Sequence, residues 1–281
     1  VTGNVLVPLD GSHAAETAIP FAAWLGNATG AGITLLTVLD RGETGEAPAG
    51  AAQEQLEATA TRLRAASRTV TAQVEQGKPA QLLAERAGAD DIDYVVLTTF
   101  GRDGDARHLG GTADRLARTL TKPSLFVSPA SGTEPPITGP LLLALDGSST
   151  AEAALATAQI LAEKLNLALK LVRVAPWAST LFAAFTGLAP PSADAEIELG
   201  SNTYLAALVE QLPKTIDSDY QTLRGDPAEM LLEYTADQQG ILILSSHGES
   251  AGKLSHLGST TGKVLRASPT PVLLIPVPHT S

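Results

Sequence analysis

The chain repeats itself, and a duplicated pattern constrains the fold more than any single motif, because each copy must build the same unit. Residues 4–17, NVLVPLDGSHAAET, align with 140–153, PLLLALDGSSTAEA, which puts Asp10-Gly11-Ser12 on Asp146-Gly147-Ser148 at an offset of 136. Later, His108-Leu109-Gly110-Gly111-Thr112 matches His256-Leu257-Gly258-Ser259-Thr260, with Arg118 on Arg266 and Pro123 on Pro271, at an offset of 148. The change in offset from 136 to 148 makes the second copy 12 residues longer, and the surplus is assigned to an insertion near 176–193 that carries Trp177, Phe182 and Phe185. Between the copies, PASGTEPPITGP (129–140) supports neither a helical nor a strand period and reads as a linker. The expected organisation is a domain over 1–130, a linker over 131–140 and a second domain over 141–281.

Within each copy, apolar runs alternate with helical periodicity. Val5–Pro8 ends in Asp-Gly-Ser, after which Ala14, Ala18, Phe21, Ala22 and Leu25 recur at helical spacing and predict one helix. Gly32–Leu39 is rich in branched residues, residues 50–67 are amphipathic, and Val70–Val74 alternates. Gly77-Lys78-Pro79 starts another helix, Ile92–Leu97 is continuously apolar, Thr112–Leu120 is helical and Leu125–Val127 closes the copy. The second half repeats this order from Leu141 to Ile275. Five strands alternating with four helices imply right-handed crossovers and a five-stranded parallel sheet with helices on both faces, an α/β fold built twice. Ligands in such sheets lie at the carboxyl ends of the strands, beside the topological switch point.

Composition removes several classes of function. With 19 Lys+Arg against 30 Asp+Glu the net charge is −11, which disfavours a nucleic-acid partner. The absence of cysteine excludes disulfides, thiol nucleophiles and thiolate metal sites, and 4 % aromatics argue against base-stacking platforms. No apolar stretch approaches the roughly 18 residues of a membrane span, so no membrane partner and a cytoplasmic location are expected. None of the five histidines pairs with a second ligand at metal-binding spacing, so no metal residue is assigned. Ser12 and Ser148 lack a nucleophile-elbow pattern and a histidine partner, and the chain contains no Walker A sequence. No catalytic residue is assigned, and an enzyme is the less favoured class.

The strand ends carry the remaining signal. Asp10 and Asp146 each close a first strand, where a carboxylate can accept a ribose hydroxyl or an adenine amino hydrogen; the competing reading is that Asp-Gly-Ser only turns the chain and caps a helix. The fourth strand of each copy runs into a polar loop with glycines, 98–112 and 245–260, that opens directly into a helix. Small residues let a backbone approach a ligand, and the N–H groups of a first helical turn attract phosphate.

Both halves resemble universal stress protein domains, and nearly the whole chain is similar to a tandem member of that family. The resemblance implies two Rossmann-like, adenine nucleotide alpha hydrolase-like domains. It also implies a loop pattern Gly-x2-Gly-x9-Gly-[Ser/Thr], with an Asp after the first strand and a Val after the second near adenine. In copy two these positions are Ser245, Gly248, Gly258 and Ser259 followed by Thr260, with Asp146 and Val174; the first glycine is replaced by serine. In copy one they are Asp10, Val38 and either Thr98-x2-Gly101-x9-Gly111-Thr112 or, matching the His-Leu-Gly segments, a loop one residue shorter with Gly110-Gly111 at the phosphate position. Phe100 stands where copy two has His247. The resemblance implies ATP or another adenine nucleotide, with or without Mg2+, held in a stress-response binding or sensing module whose better site is in the second half. It further implies pairing of the domains within the chain through their fifth strands, and leaves room for a homodimer. The alternatives are a nucleotide-free interaction protein and a slow ATPase.

Overall fold

The computed structural model describes residues 3–40, 46–65, 69–101, 109–129, 134–175, 193–246 and 257–276. The first half runs β1 (Asn4–Pro8), α1 (His13–Glu16), α2 (Ile19–Thr29), β2 (Gly32–Leu39), α3 (Glu46–Arg64), β3 (Val70–Gln76), α4 (Pro79–Ala87), β4 (Ile92–Thr98), α5 (Gly111–Thr119) and β5 (Ser124–Val127). The second half runs β6 (Leu141–Ala144), α6 (Ser149–Glu152), α7 (Ala154–Leu165), β7 (Leu169–Ala175), α8 (Ala193–Gln211), β8 (Ser218–Arg224), α9 (Pro227–Ala236), β9 (Ile241–Ser245), α10 (Ser259–Ala267) and β10 (Val272–Ile275).

The strands form one ten-stranded sheet in the order β3-β2-β1-β4-β5-β10-β9-β6-β7-β8. Each half is parallel throughout, and the halves meet where β5 and β10 pair antiparallel, Phe126 opposite Val272 and Leu125 opposite Leu273. Leu125 and Leu273 are equivalent at the offset of 148, so the pseudo-two-fold axis of the duplication passes between them. That pairing leaves β3 and β8 as the sheet edges, and their half-buried Glu75 and exposed Asp219 discourage further strand addition.

Strand alternation sorts the core into two layers. One contains Val5, Val7, Leu9, Ile33 and Leu35 beneath Phe21, Leu25, Leu56 and Leu63, together with Leu143, Leu161 and Leu205 from the second half. The other contains Leu6, Leu36, Leu97 and Phe126 beneath Leu83 and Leu116, with Leu244, Leu231 and Leu265. Thus α2, α3, α7 and α8 cover one face while α4, α5, α9 and α10 cover the other. Ile137, in the segment read as linker, is buried in the first layer and ties that segment to the core.

The single helix expected after β1 is two, α1 and α2. Pro20 cannot donate to a preceding turn, but the second half breaks at Ala153 without a proline, so the proline fits an interruption that the fold imposes in both copies. Among the described residues no helix is long and apolar enough to cross a membrane.

Candidate functional site

The two first-strand turns are built alike. Asp10 Oδ1 accepts the Ser12 N–H at 2.9 Å and the Ser12 hydroxyl, while Ser12 Oγ accepts the Ala15 N–H at 3.2 Å and so caps α1. Asp146 Oδ1 accepts the Ser148 N–H at 2.9 Å and its hydroxyl at 2.6 Å, and Ser148 Oγ accepts the Ala151 N–H at 3.1 Å. Serine is therefore the cap and the aspartate orients it. Gly11 and Gly147 take φ of 77° and 91°, the left-handed region that a side chain resists. The other oxygen of Asp10, Oδ2, lies against Gly101 at the end of β4, so closely that a Cβ there would collide with it. Asp10 and Gly101 thus bridge β1 and β4, the strand pair on which the order of the first half reverses.

The helices that follow the fourth strands also begin alike. Gly110 caps α5 with φ −59° and ψ 148°, and Gly258 caps α10 with φ −52° and ψ 145°; neither supplies a side-chain acceptor to the first turn. Their own amides donate to equivalent carbonyls, Gly110 to Thr99 at 2.8 Å and Gly258 to Ser246 at 3.5 Å. This equivalence selects the shorter of the two alignments left open for copy one, with Gly110 on Gly258 and Gly111 on Ser259. Neither glycine is required by its φ, since both values suit any residue, but the space around the two differs. A Cβ at Gly110 would sit 3.3 Å from the Phe100 Cα, whereas at Gly258 the nearest atom is Thr261 Oγ1 at 3.5 Å, an ordinary contact. The start of α10 is further held by the Thr261 hydroxyl, which donates to the Ser245 carbonyl at 3.3 Å.

Val38 and Val174 are half-buried and pack on the layer beneath α4, α5, α9 and α10, so each shares a sheet face with the glycine-capped helix of its own half. Gly111, Thr112 and Ser259 are exposed in the first turns of α5 and α10, and Thr260 and Phe100 are half-buried. Gly248, His108, His247, His256, Lys253 and the aromatic residues Trp177, Phe182 and Phe185 lie outside the described residues.

Sequence reasoning passed over the opposite face of the same strand ends. There Glu16 and Thr37 of the first half correspond, at the offset of 136, to Glu152 and Arg173 of the second. The Tyr204 hydroxyl donates to Glu152 Oε1 at 2.8 Å, and the Arg173 guanidinium lies 5.0 Å from the centre of the Tyr204 ring. Burial, then the bond to Glu152, pushes the Tyr204 phenol well above its usual range. The repeat offered the signal, as a glutamate kept in both copies beside a threonine-to-arginine difference.

Comparison with known proteins now adds a decisive observation. The model of the universal stress protein family matches residues 2–128 and again 138–276. The chain belongs to the universal stress protein family. This tandem universal stress protein is 26 % identical to a universal stress protein of Synechocystis, over 96 % of this chain and 98 % of that protein. It is 28 % identical to a universal stress protein of Mycobacterium tuberculosis over 188 residues, 66 % of this chain but 62 % of the relative's length. Its fold matches the crystal structure of a universal stress protein from Archaeoglobus fulgidus with a TM-score of 0.71 at 18 % identity, covering 99 % of this chain and 97 % of that one.

Proposed function

We propose that this universal stress protein binds ATP or a related adenine nucleotide as a binding or sensing module, with its better site in the second half. The observation that carries the reading is the glycine cap of α10, which, among the described residues, offers no side-chain acceptor to the first-turn amides of Ser259, Thr260 and Thr261 at the carboxyl edge of the sheet. Those amides and the helix dipole suit a phosphate tail. Asp146, just past the end of β6, the strand next to β9, would face the ribose, and Val174 the adenine. In the first half Asp10, Val38, Gly101, Gly110, Gly111 and Thr112 form the corresponding set. Gly101 leaves room for the Asp10 carboxylate, which a side chain at that position would displace. Among the described residues no three His, Cys, Asp or Glu side chains gather into a metal site, so any Mg2+ is assigned to the nucleotide's own phosphates. With β5 and β10 paired inside the chain, a homodimer would need another surface.

Thermal unfolding with ATP, ADP, AMP and cyclic AMP tests this reading. Saturation at 100 times Kd should add about 2.7 kcal/mol of stability, seen as a rise in Tm. Gly258→Asp should abolish the rise by placing a carboxylate where phosphate belongs. Because aspartate is a good N-cap and a Cβ has room there, the variant should keep its ligand-free Tm. No rise with any of the four nucleotides would overturn the proposal. It would favour a second reading, an interaction protein with no nucleotide, which Ser245 and Thr98 support by standing where the family's pattern has glycine.

A further inference from the structure

The turn after β6 is braced by side chains that reach it from distant segments. Gly147, at φ 91°, lies against the half-buried Arg173 of β7, whose Nη2, Cζ and Nη1 stand 3.2, 3.4 and 3.6 Å from where a Cβ on that glycine would be. The same guanidinium sits 5.0 Å from the centre of the Tyr204 ring of α8. The Tyr204 hydroxyl donates at 2.8 Å to Glu152 of α6, the helix that Ser148 caps. These contacts close a circuit, from Gly147 through Ser148 and Glu152 to Tyr204, then Arg173, and back to Gly147. Asp146 belongs to it, because its Oδ1 accepts both the amide and the hydroxyl of Ser148. Burial, the Glu152 bond and, more weakly, the Asp146 charge raise the Tyr204 phenol above its usual range, so that carboxylate is felt at the ring.

The first half braces the same turn with other residues. Glu16, Gly11 and Thr37 are the counterparts of Glu152, Gly147 and Arg173 at the offset of 136. Superposing the buried positions Leu56 and Leu63 of α3 on Leu205 and Leu212 of α8, a shift of 149, places Gln55 on Tyr204. Gln55 Nε2 donates to the Gly11 carbonyl at 3.4 Å, beside a cavity of about 300 Å3 whose lining includes Gly11, Thr37 and Gln55. One position on the helix after the second strand thus secures the turn glycine in both copies, directly through an amide in one and through an arginine in the other. A contact kept while its residues change marks the placing of the turn as what both copies require. A glycine leaves positive φ easily, because it has the widest choice of backbone states, so packing against it is what holds the turn. Binding groups must be held to within about 0.5 Å of their working position.

We infer that Arg173 is a positioning residue of the second-half nucleotide site: held by Tyr204, it pins Gly147 and with it the Asp146 carboxylate that is turned toward the ribose. The inference rests on the nucleotide reading proposed above and adds to it the group that sets the sugar-recognising carboxylate in place.

Calorimetry of the whole chain with ATP and with dideoxy-ATP, which lacks both ribose hydroxyls, tests this on the binding step that Gly258→Asp removes. The parent should favour ATP about tenfold or more, the scale of hydrogen bonds to a charged group. Arg173→Met keeps an unbranched stem without the guanidinium and should cut that preference at least threefold. In Asp146→Ala the preference is already lost, so adding Arg173→Met should change it no further. Without ligand, exchange of the Ser148 amide, which is bonded to Asp146, should quicken at least tenfold in Arg173→Met. Should Arg173→Met fail to fold, Arg173→Lys decides, because its ammonium lacks the planar face that stacks on the ring and should meet the same threefold mark. The inference is overturned by a preference that falls less than threefold, by an equal loss for both nucleotides, by a further change on the Asp146→Ala background, or by unchanged Ser148 exchange. A parent that binds no nucleotide sinks both readings, whereas binding with an unmoved preference in the variant sinks this one alone.

Discussion

The two halves keep the same strand-end turns and the same glycine-capped helices, yet differ on the opposite face of the sheet. Capping angles at Gly110 and Gly258 agree within 7° in φ and 3° in ψ, from −59° and 148° to −52° and 145°. Behind those edges, Glu16 borders an open cavity while Glu152 is bonded to a tyrosine under an arginine. The duplication thus preserved the backbone geometry that presents amides and let the side-chain layer diverge. Side-chain packing can change locally, but altering a cap moves a whole helix.

The seam offers the largest perturbation. Phe126 is fully buried opposite Val272, so Phe126→Ala should cost about 3–5 kcal/mol in urea unfolding and affect both halves together. Truncation to Leu, the residue at the equivalent position 274, should cost well under half of that.

Next comes the filled space behind β6 and β7. Tyr204→Ala removes a half-buried ring over which Arg173 sits, and should cost roughly 2–3 kcal/mol, whereas Gln55→Ala at the matching position of the first half should stay within about 0.5 kcal/mol. Tyr204→Phe should cost about 1 kcal/mol at neutral pH by losing the bond to Glu152. Because the folded protein holds this phenol above its unfolded value, its contribution is complete below about pH 10 and declines as pH rises further. The Tyr204→Phe variant should lack that alkaline loss in a pH series of unfolding curves.

The smallest effect concerns the caps of α4 and α9. Asp226 caps α9 by accepting from Ala228 and Glu229, while Lys78 at the matching place of α4 offers no side-chain bond. The bond from the Glu229 amide, followed by nearby Lys263, holds the Asp226 carboxyl below the usual range. Asp226→Ala should therefore cost about 1 kcal/mol at pH 7. The difference from the parent is complete above the unfolded carboxylate pKa, near 4, and is lost as pH falls through the folded value. Lys78→Asp should stabilise by a similar or smaller amount, bringing the two halves closer in denaturant midpoint.

Much of the fold could be read from the chain because its signals are local and occur twice. Near-continuous apolar runs such as Ile92–Leu97 and Ile241–Leu244 mark strands buried on both faces, and Asp-Gly-Ser marks a turn whose glycine takes positive φ in both copies. The register of the fourth-strand loop in copy one was not readable, because Gly110 and Gly111 are adjacent and either could begin a helix. The amide of Gly110 bonded to Thr99 resolves it. The cavity behind Asp10 was invisible for a different reason. It arises from what α3 brings to the ends of β1 and β2, across 44 residues between Gly11 and Gln55, and no periodicity encodes the size of the gap between them.

By itself the amino-acid order determined the duplication, the alternation of strand and helix, and the placing of carboxylates and glycines at strand ends, since each depends on neighbours a few residues apart. Only the tertiary structure decided that the halves share one sheet through Leu125 and Leu273, which glycine caps α5, and that Tyr204 with Arg173 occupies in one half what stays open in the other. Those features are set by how distant segments close-pack, and close packing responds to the shape of every surrounding side chain at once.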